Sequence, residues 1–188
     1  MYRGKKVLLR CHCEEDIEKL YEFINDYEVK KFLDLETVLP LTKWQEEEWV
    51  KRKRSNDQTY DFAIEDIESG NVIGGCSINE TSIKNRNCTV GIMIGDKNYW
   101  GKGYGYDALK TLIDFIFNEC NMEKVKLSVY EFNTRAVACY KKLGFKEEGR
   151  LKKELYREGK YGDVILMAVF KEEYFNHTKY NIFTNERV

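Results

Sequence analysis

Residues 90–108, VGIMIGDKNYWGKGYGYDA, decide how this chain is interpreted. Apolar residues over 90–94 predict a strand, and Gly101, Gly103 and Gly105 follow it just before an amphipathic helix. Glycine allows unusual backbone dihedral angles and a close approach of the backbone to a ligand. The free N–H groups at a helix N-terminus form a natural phosphate site. Taken alone, this spacing fits an ordinary turn as well as a phosphate-binding loop.

The glycine loop does not match the other common nucleotide-binding patterns. No Gly-Lys-Ser/Thr sequence follows it, which excludes a Walker loop. The second and third glycines are too close together for a dinucleotide fingerprint, and no second βαβ half is visible. The sequence therefore does not favour ATP or NAD as a ligand.

A second informative block, NTRAVACYKKLGF, covers residues 133–145 and follows a predicted strand. Each of its notable residues has an ordinary explanation. Asn133 fits a helix N-cap, Gly144 a left-handed helix end and Tyr140 a half-buried aromatic side chain. The two blocks together, in this order, are much harder to explain as structure alone.

The remaining pattern predicts a mixed α/β (α+β) fold in a single domain over residues 1–188. Its compact core is expected over about residues 5–172, and a polar, aromatic tail over 173–188. The predicted strands lie at 7–10, 60–64, 72–78, 88–94, 124–129, 146–156 and 161–170, and the predicted helices at 14–27, after Pro40, after the glycine loop and at 133–143.

Composition and charge exclude several classes of protein. The chain has 188 residues and is 43% hydrophobic, which fits a domain with a real core. Lys and Arg number 31 against 32 Asp and Glu, so a broad nucleic-acid-binding surface is not expected. The N-terminus has no apolar signal region, and no apolar stretch approaches the length of a membrane span. We expect a cytoplasmic protein without a membrane or nucleic-acid partner.

Six cysteines would permit a disulfide framework, but the expected cytoplasmic location favours reduced thiols. Most of these cysteines lie in apolar segments, where a free thiol behaves as a small hydrophobic group. The Cys11-His12-Cys13 triplet is a weak metal signal, because alternate residues on a strand point away from the middle one and no second Cys/His pair follows. No metal site is expected.

The two blocks resemble the acetyl-CoA-binding segments of the GNAT superfamily of N-acetyltransferases. Residues 100–105 resemble its pyrophosphate loop, and residues 133–145 resemble its C-terminal signature. Within the superfamily, the RimJ/RimL-type ribosomal-protein N-acetyltransferase-like branch and the spermidine acetyltransferases are most similar. The resemblance covers about residues 5–172. It implies a GNAT fold, in which helices flank a mixed, mostly antiparallel sheet with a V-shaped cleft between two splayed strands.

The resemblance also implies where acetyl-CoA binds. The pantetheine arm would pair with the backbone of the central strand, the loop amides would hold the pyrophosphate, and an asparagine would bond to the arm. Trp100 replaces the usual Gln or Arg at the start of the loop, but backbone donors carry most of that contact. The implied acetyl-CoA-binding residues are Ile92, Met93, Ile94, Trp100, Gly101, Lys102, Gly103, Tyr104, Gly105 and Asn133.

Acetyl transfer to an amine needs an acid and a base, since the thiolate gains a proton and the amine loses one. Tyr140 matches the family's tyrosine near the sulfur and is the expected general acid. The base stays open. Several relatives carry a glutamate on the central strand where this chain has Thr89, so Glu80 and a chain of water molecules are both candidates.

Acceptor selection is expected from the first two helices and their connection, including Phe32, Leu33 and Trp44. No clustered acidic pair stands out there as a polyamine site. The leading hypothesis is an acetyl-CoA-dependent N-acetyltransferase whose acceptor is a primary amine, on a protein N-terminus or a small molecule, that attacks directly in a ternary complex. The alternatives are a spermidine or polyamine N-acetyltransferase and a non-catalytic acyl-CoA-binding module.

The oligomeric state is also left open by the sequence. Many family members are dimers, and the resemblance therefore allows a homodimer. The aromatic tail residues Tyr174, Phe175, Tyr180 and Phe183 are candidates for packing against a partner.

Overall fold

A computed structural model describes residues 1–33, 36–54 and 60–177, with the backbone alone over 49–54. The strands of these residues form one eight-stranded sheet in the order β1-β2-β3-β4-β5-β6-β8-β7. Every neighbouring pair is antiparallel except β5 and β6. The strands are β1 (Tyr2–Arg3), β2 (Val7–Arg10), β3 (Tyr60–Asp66), β4 (Val72–Ser82), β5 (Asn87–Ile94), β6 (Lys124–Tyr130), β7 (Lys146–Arg157) and β8 (Lys160–Phe170).

The helices follow the predicted pattern, with two differences. The helix expected over 14–27 stops at Asp26, where the backbone is extended. The Asp26 carboxylate accepts a hydrogen bond from the Glu28 amide and caps a separate short helix. A helix also forms in the segment predicted as a tail. The helices are α1 (Ile17–Asn25), α2 (Tyr27–Lys30), α3 (Lys43–Arg54), α4 (Tyr104–Asn118), α5 (Thr134–Lys142) and α6 (171–177).

The central cleft lies between β5 and β6. These two strands pair in parallel over three residues, Asn87–Thr89 against Lys124–Lys126. Beyond that point β5 stays paired with β4 and β6 stays paired with β8, but β5 and β6 no longer pair with each other. The sheet therefore opens between its two middle strands. This mixed, mostly antiparallel open sheet flanked by helices confirms the predicted fold class.

Helices cover the two faces of the sheet unequally. The apolar residues of α4, including Leu112 and Ile116, are fully buried against residues of β2 to β6 in the main core. On the other face, Leu20 and Phe23 of α1 form a small separate cluster with Met93. Because successive side chains of a strand point to opposite faces, β5 presents different residues to each layer.

A buried carboxylate joins the start of α4 to the N-terminal strand. Asp107 accepts hydrogen bonds from the backbone amides of Lys5, Lys6 and Val7 at 3.1, 2.7 and 3.1 Å. A Cβ atom at Gly4 would lie 2.3 Å from Asp107 Oδ2, so the chain passes this carboxylate without a side chain. The N-terminus of α4 is thereby fixed to the sheet.

The α6 segment packs on the core of its own chain. Tyr174 is fully buried, and its hydroxyl donates to Asp114 Oδ1 at 2.7 Å. Phe175 packs against the same core, with its ring centroid 6.1 Å from that of Phe117. The core thus extends beyond residue 172, while Tyr180 and Phe183 lie outside the described residues.

The structure also bears on the expectations about disulfides, metal sites and membrane-spanning helices. All six cysteines belong to the described residues, and none forms a disulfide. Within the ranges that the structure describes, no group of three His, Cys, Asp or Glu side chains is placed to hold a metal ion. None of the helices found there has the length and apolarity that crossing a membrane requires.

Candidate active site

The glycine loop leaves open space in front of the N-terminus of α4. Gly101 and Gly103 adopt left-handed backbone angles, with φ of 72° and 86°, and Gly103 is the N-cap of α4. A Cβ atom built on either glycine would have no atom within 4 Å. No side chain caps the helix, so its first amides face this space. The loop has the geometry of an anion site.

An aromatic and cationic stack holds the loop in place. The Trp100 indole donates to the Ile94 carbonyl oxygen at 2.6 Å. The Arg135 guanidinium carbon lies 3.8 Å from the Trp100 ring centroid, which is a cation–π contact. Partial burial lowers the pKa of Arg135, although arginine stays charged at neutral pH. Phe32 packs edge-on against Trp100 at 6.5 Å.

A cavity of about 350 Å³ lies beside this loop, between β5, α4 and α5. We call it the smaller cavity. Its charged lining side chains are Arg135 and Lys142, and no carboxylate occurs among the described residues that line it. The lining residues are Ile92, Ile94, Tyr99, Trp100, Gly101, Gly103, Gly105, Tyr106, Leu109, Asn133, Arg135, Ala136, Ala138, Cys139, Tyr140 and Lys142.

Most of the predicted acetyl-CoA-binding residues meet in the smaller cavity. Three of them, Met93, Lys102 and Tyr104, do not line it. Lys102 is exposed, and its carbonyl oxygen accepts from Lys6 Nζ at 3.0 Å. The Tyr104 ring packs against Tyr99 at 4.8 Å. The backbone of Lys102 and Tyr104 nevertheless belongs to the 100–105 loop.

Tyr140 and Asn133 reach the smaller cavity from α5. Tyr140 is 9% exposed, and burial raises the pKa of its hydroxyl. The hydroxyl consequently keeps its proton at neutral pH, as a general acid must. Asn133 is the N-cap of α5, where its Oδ1 accepts from the Ala136 amide at 3.3 Å, and it also lines the cavity.

A cavity of about 680 Å³ lies on the other face of β5, under α1, α2 and α3. We call it the larger cavity. Gly91 and Met93 line it, Ile94 lines the smaller cavity, and Ile92 lines both. The lining residues are His12, Leu20, Ile24, Lys30, Leu33, Leu41, Trp44, Gln45, Glu46, Glu48, Asp61, Gly75, Cys76, Ser77, Gly91, Ile92 and Met93.

Carboxylates dominate the charge of the larger cavity. Glu46, Glu48 and Asp61 line it, against the single cation of Lys30 among the described lining residues. Glu46 is 6% exposed, and this burial raises the pKa of its carboxyl group, an effect that nearby Lys30 partly opposes. Lys30 is also buried and donates to the Leu39 carbonyl oxygen at 2.6 Å. A cationic ligand fits this lining better than an anionic one.

The predicted acceptor residues separate into two groups. Leu33 and Trp44 line the larger cavity, as expected for residues that select an acceptor. Phe32 does not line it and instead contacts Trp100 and Phe132. Phe32 and Leu33 are neighbours in the turn after α2, yet they contact different parts of the molecule.

Glu80, the predicted candidate base, lines neither cavity among the described residues. It is exposed, has a positive φ of 46°, and accepts a hydrogen bond from Thr89 Oγ1 at 2.8 Å. The carboxylate therefore lies beside the position where relatives carry a glutamate. Its role as a base stays a prediction.

Sequence reasoning missed several residues of these cavities. It singled out no acidic pair near the first helices as a polyamine site, yet Glu46, Glu48 and Asp61 line one cavity. His12 appeared there only in a weak metal triplet, and Arg135 only within the C-terminal signature. The carboxylates that line this cavity come from α3 and β3, which are distant in sequence, so no local pattern could have joined them.

Comparison with known proteins identifies the family. The family model of the acetyltransferase (GNAT) domain matches residues 6–146. The chain belongs to the GNAT acetyltransferase family. It is an acetyl-CoA-dependent N-acetyltransferase, which confirms the predicted activity and co-substrate.

Individual relatives agree with this assignment. The spermidine N(1)-acetyltransferase of Escherichia coli K12 is 30% identical over 95% of this chain and 94% of its own length. The uncharacterized N-acetyltransferase p20 of Bacillus licheniformis is 27% identical over 85% of this chain and 90% of its own length. The structure of spermidine N-acetyltransferase from Vibrio cholerae, in complex with CoA and spermine, matches with a TM-score of 0.82 and 25% identity. That match covers 92% of this chain and 99% of the Vibrio protein.

Proposed function

We propose that this GNAT acetyltransferase transfers the acetyl group to a primary amine of a small polycation, of which spermidine is the type. The observation that carries the proposal is the opposite charge of two cavities that meet at Ile92. The smaller cavity carries Arg135 and Lys142, whereas the larger one carries three carboxylates against Lys30. Such a pair suits a polyanionic donor on one face of β5 and a polycationic acceptor on the other.

The smaller cavity is the proposed site of acetyl-CoA. The amides of the 100–105 loop and the N-terminus of α4 would bind the pyrophosphate, with Arg135 and Lys142 adding positive charge. The backbone of 92–94 would hold the pantetheine arm, and Asn133 would bond to it. The loop is open and rigidly anchored through Trp100, so little ordering is required on binding.

Tyr140 is the proposed general acid. Tyr140 lines the smaller cavity, and its hydroxyl keeps its proton because burial raises its pKa and disfavours the phenolate. The attacking amine forms the new C–N bond, the C–S bond breaks, and the tyrosine proton passes to the departing thiolate. Positioning of the amine against the thioester supplies the rest of the catalysis.

The larger cavity is the proposed acceptor site. Leu33 and Trp44 would contact the methylene groups of a polyamine, while the carboxylates attract its ammonium groups. Relatives support this assignment, since two proteins similar to this chain are named spermidine acetyltransferases. A protein N-terminus, the other acceptor that the sequence allows, carries a single ammonium group and would complement the negative charge of this lining less well.

Other parts of the hypothesis stay predictions. These are a cytoplasmic location, a homodimer, membership of the RimJ/RimL-type branch and a single domain over residues 1–188.

A thiol-release assay tests the proposed function. The purified chain is incubated with acetyl-CoA and, separately, with spermidine, a peptide with a free N-terminus, and an aminoglycoside. We expect the largest kcat/KM for spermidine, with a mono-acetylated product by mass spectrometry. Acetyl-CoA alone should raise the Tm, because a ligand that binds only the folded state stabilises it. Faster turnover of the peptide than of spermidine would contradict the polyamine assignment.

A further inference from the structure

His12 lies in the acceptor side of the site, although the family resemblance assigns it no role. It lies two residues after the end of β2, is 6% exposed, and lines the larger cavity. The last paired residues of β2 and β3 are Arg10 and Ala63. His12 lies two residues beyond Arg10, and Asp61 lies two residues from Ala63 in the same direction along the sheet. The two titratable side chains therefore reach the same cavity from adjacent strands.

A glycine brings the imidazole close to the reacting region. A Cβ atom at Gly75 would lie 3.6 Å from His12 Cε1 and 4.0 Å from His12 Nε2, so the ring stands over this position of β4. Gly75 pairs in register with Met93 of β5. Residues that pair across strands lie about 5 Å apart. The imidazole is thus close to Met93 and to Ile92, where the two cavities meet.

The chemistry of the reaction requires a base at this place. An alkylammonium group such as that of lysine has a pKa of about 10.4, so an amine acceptor arrives protonated and cannot attack. Histidine is the side chain whose ordinary pKa, about 6.5, suits proton transfer at neutral pH. We propose that His12 is the general base that deprotonates the acceptor amine, an inference that rests on the proposed function.

The proton balance of the step is complete without another reactant. The imidazole takes one proton from the ammonium group, and the free amine then attacks the thioester carbonyl carbon. As the tetrahedral intermediate collapses, the C–S bond breaks and the thiolate takes the proton of Tyr140. The nitrogen loses its second proton to solvent and becomes an amide nitrogen. Solvent then returns a proton to the tyrosine oxygen and takes up the proton held by His12. The sum is the acetylated amine, CoA thiol and one released proton.

The charged neighbours of His12 are consistent with this role. The titratable groups that share its cavity are Asp61 on β3, Cys76 on β4, Lys30 on α2, and Glu46 and Glu48 on α3. The carboxylates attract an ammonium group toward the imidazole and stabilise the imidazolium that forms. By contrast, the exposed carboxylate of Glu80 accepts from Thr89 and lies outside the described lining of both cavities.

The test compares His12→Gln with two matched variants. Glutamine keeps a polar side chain of similar reach but cannot take the proton. His177→Gln removes the chain's other histidine, whose Nε2 contacts the Lys142 carbonyl oxygen at 3.1 Å, and serves as the control. Glu80→Gln removes the competing candidate base. The readouts are kcat/KM for spermidine from pH 6 to 10 and the rise in Tm with acetyl-CoA.

We expect His12→Gln to lower kcat/KM about 100-fold at pH 7, the low end of the usual range for general base catalysis. The rise in Tm with acetyl-CoA should be unchanged. The deficit should shrink as the pH approaches 10, because the acceptor amine then loses its proton in solution. A residue that acted only through packing would show a deficit independent of pH. In His12→Ala, added imidazole should restore activity at least tenfold.

Three results would overturn the inference. The first is that His12→Gln keeps the wild-type kcat/KM at every pH. The second is that Glu80→Gln, and not His12→Gln, loses activity. The third is that imidazole does not restore the activity of His12→Ala although acetyl-CoA still raises the Tm of that variant. Failure of the proposed function is a distinct result, since the wild-type chain itself would then not acetylate spermidine.

Discussion

The two cavities on either face of β5 are built in different ways. The lining of the smaller cavity comes from two continuous segments, residues 92–109 and 133–142, and its charged side chains are Arg135 and Lys142. The larger cavity gathers residues from α1, α2, α3, β3 and β4, and carboxylates dominate it. The proposed acetyl-CoA site is thus built from segments that are local in sequence, whereas the proposed acceptor site is assembled from distant elements.

The largest expected effect is a loss of acetyl-CoA binding caused by a substitution beside the smaller cavity. Gly103→Glu places a carboxylate where the pyrophosphate would bind, at the N-cap of α4. Because like charges in contact cost several kcal/mol, we expect acetyl-CoA binding to weaken about 100-fold or more, measured by calorimetry. Gly159→Glu is the matched control. That glycine also has a positive φ, 78°, with no atom within 4 Å of a Cβ, but it lies in the β7–β8 turn.

If both glutamate variants bound acetyl-CoA normally, the pyrophosphate would not lie at this loop. Equal loss of binding in both would instead show that backbone strain at a left-handed position is responsible.

The next largest expected effect is a fall in kcat, without a loss of acetyl-CoA binding, caused by a substitution in the smaller cavity. Tyr140→Phe removes the proposed acid but keeps the buried ring. We expect kcat to fall about 100-fold, the usual scale of general acid catalysis, with little change in the Kd of acetyl-CoA. Tyr161→Phe, at a 66% exposed tyrosine of β8, is the control. An unchanged kcat in Tyr140→Phe would remove this residue from the acid role.

A smaller effect is expected in the larger cavity. Glu46→Gln removes one buried carboxylate and should raise the KM for spermidine about tenfold, which corresponds to about 1.4 kcal/mol, with little change in kcat or in acetyl-CoA binding. Glu47→Gln is the control, since Glu47 precedes Glu48 on the same helix but does not line the cavity. Equal KM values in the two variants would contradict the acceptor assignment.

Glu46 should also affect the pH dependence of KM. Burial raises the pKa of its carboxyl group, so it becomes neutral at a higher pH than an exposed glutamate as the pH falls. Loss of its charge weakens the attraction for ammonium groups. The wild-type KM for spermidine should therefore rise on the acid side, and Glu46→Gln should reduce that rise.

The smallest expected effect is a change in stability caused by a substitution in α6, which lines neither cavity among the described residues. Tyr174→Phe removes the hydrogen bond to Asp114 and should lower the free energy of unfolding by about 1 kcal/mol, leaving kcat/KM unchanged. Denaturant titration at two protein concentrations checks this. Because α6 packs on its own chain, the loss should not depend on concentration. A concentration-dependent loss would indicate that α6 stabilises an assembly.

The local features of this molecule could be predicted from its sequence. The loop at 101–105, the N-cap at Asn133 and the glycine end at Gly144 each depend on a few adjacent residues, and the structure places them as expected. These predictions succeeded because local backbone chemistry determines them.

Features that depend on long-range packing could not be predicted. The division of the first helix at Asp26 needs the particular cap that its carboxylate makes. The placing of Phe32 against Trp100 rather than in the larger cavity follows from how the turn after α2 meets the glycine loop. Likewise, no periodic pattern shows that His12 would share a cavity with Glu46.

The central claim is that donor and acceptor occupy the two cavities at once and meet at Ile92. A bisubstrate analogue, in which an acetyl bridge joins the CoA sulfur to a primary nitrogen of spermidine, tests it by calorimetry. Linked occupation of both cavities predicts a Kd at least about 100-fold lower than that of CoA, reduced by Glu46→Gln and by Gly103→Glu. A Kd equal to that of CoA, and insensitive to Glu46→Gln, would contradict the account.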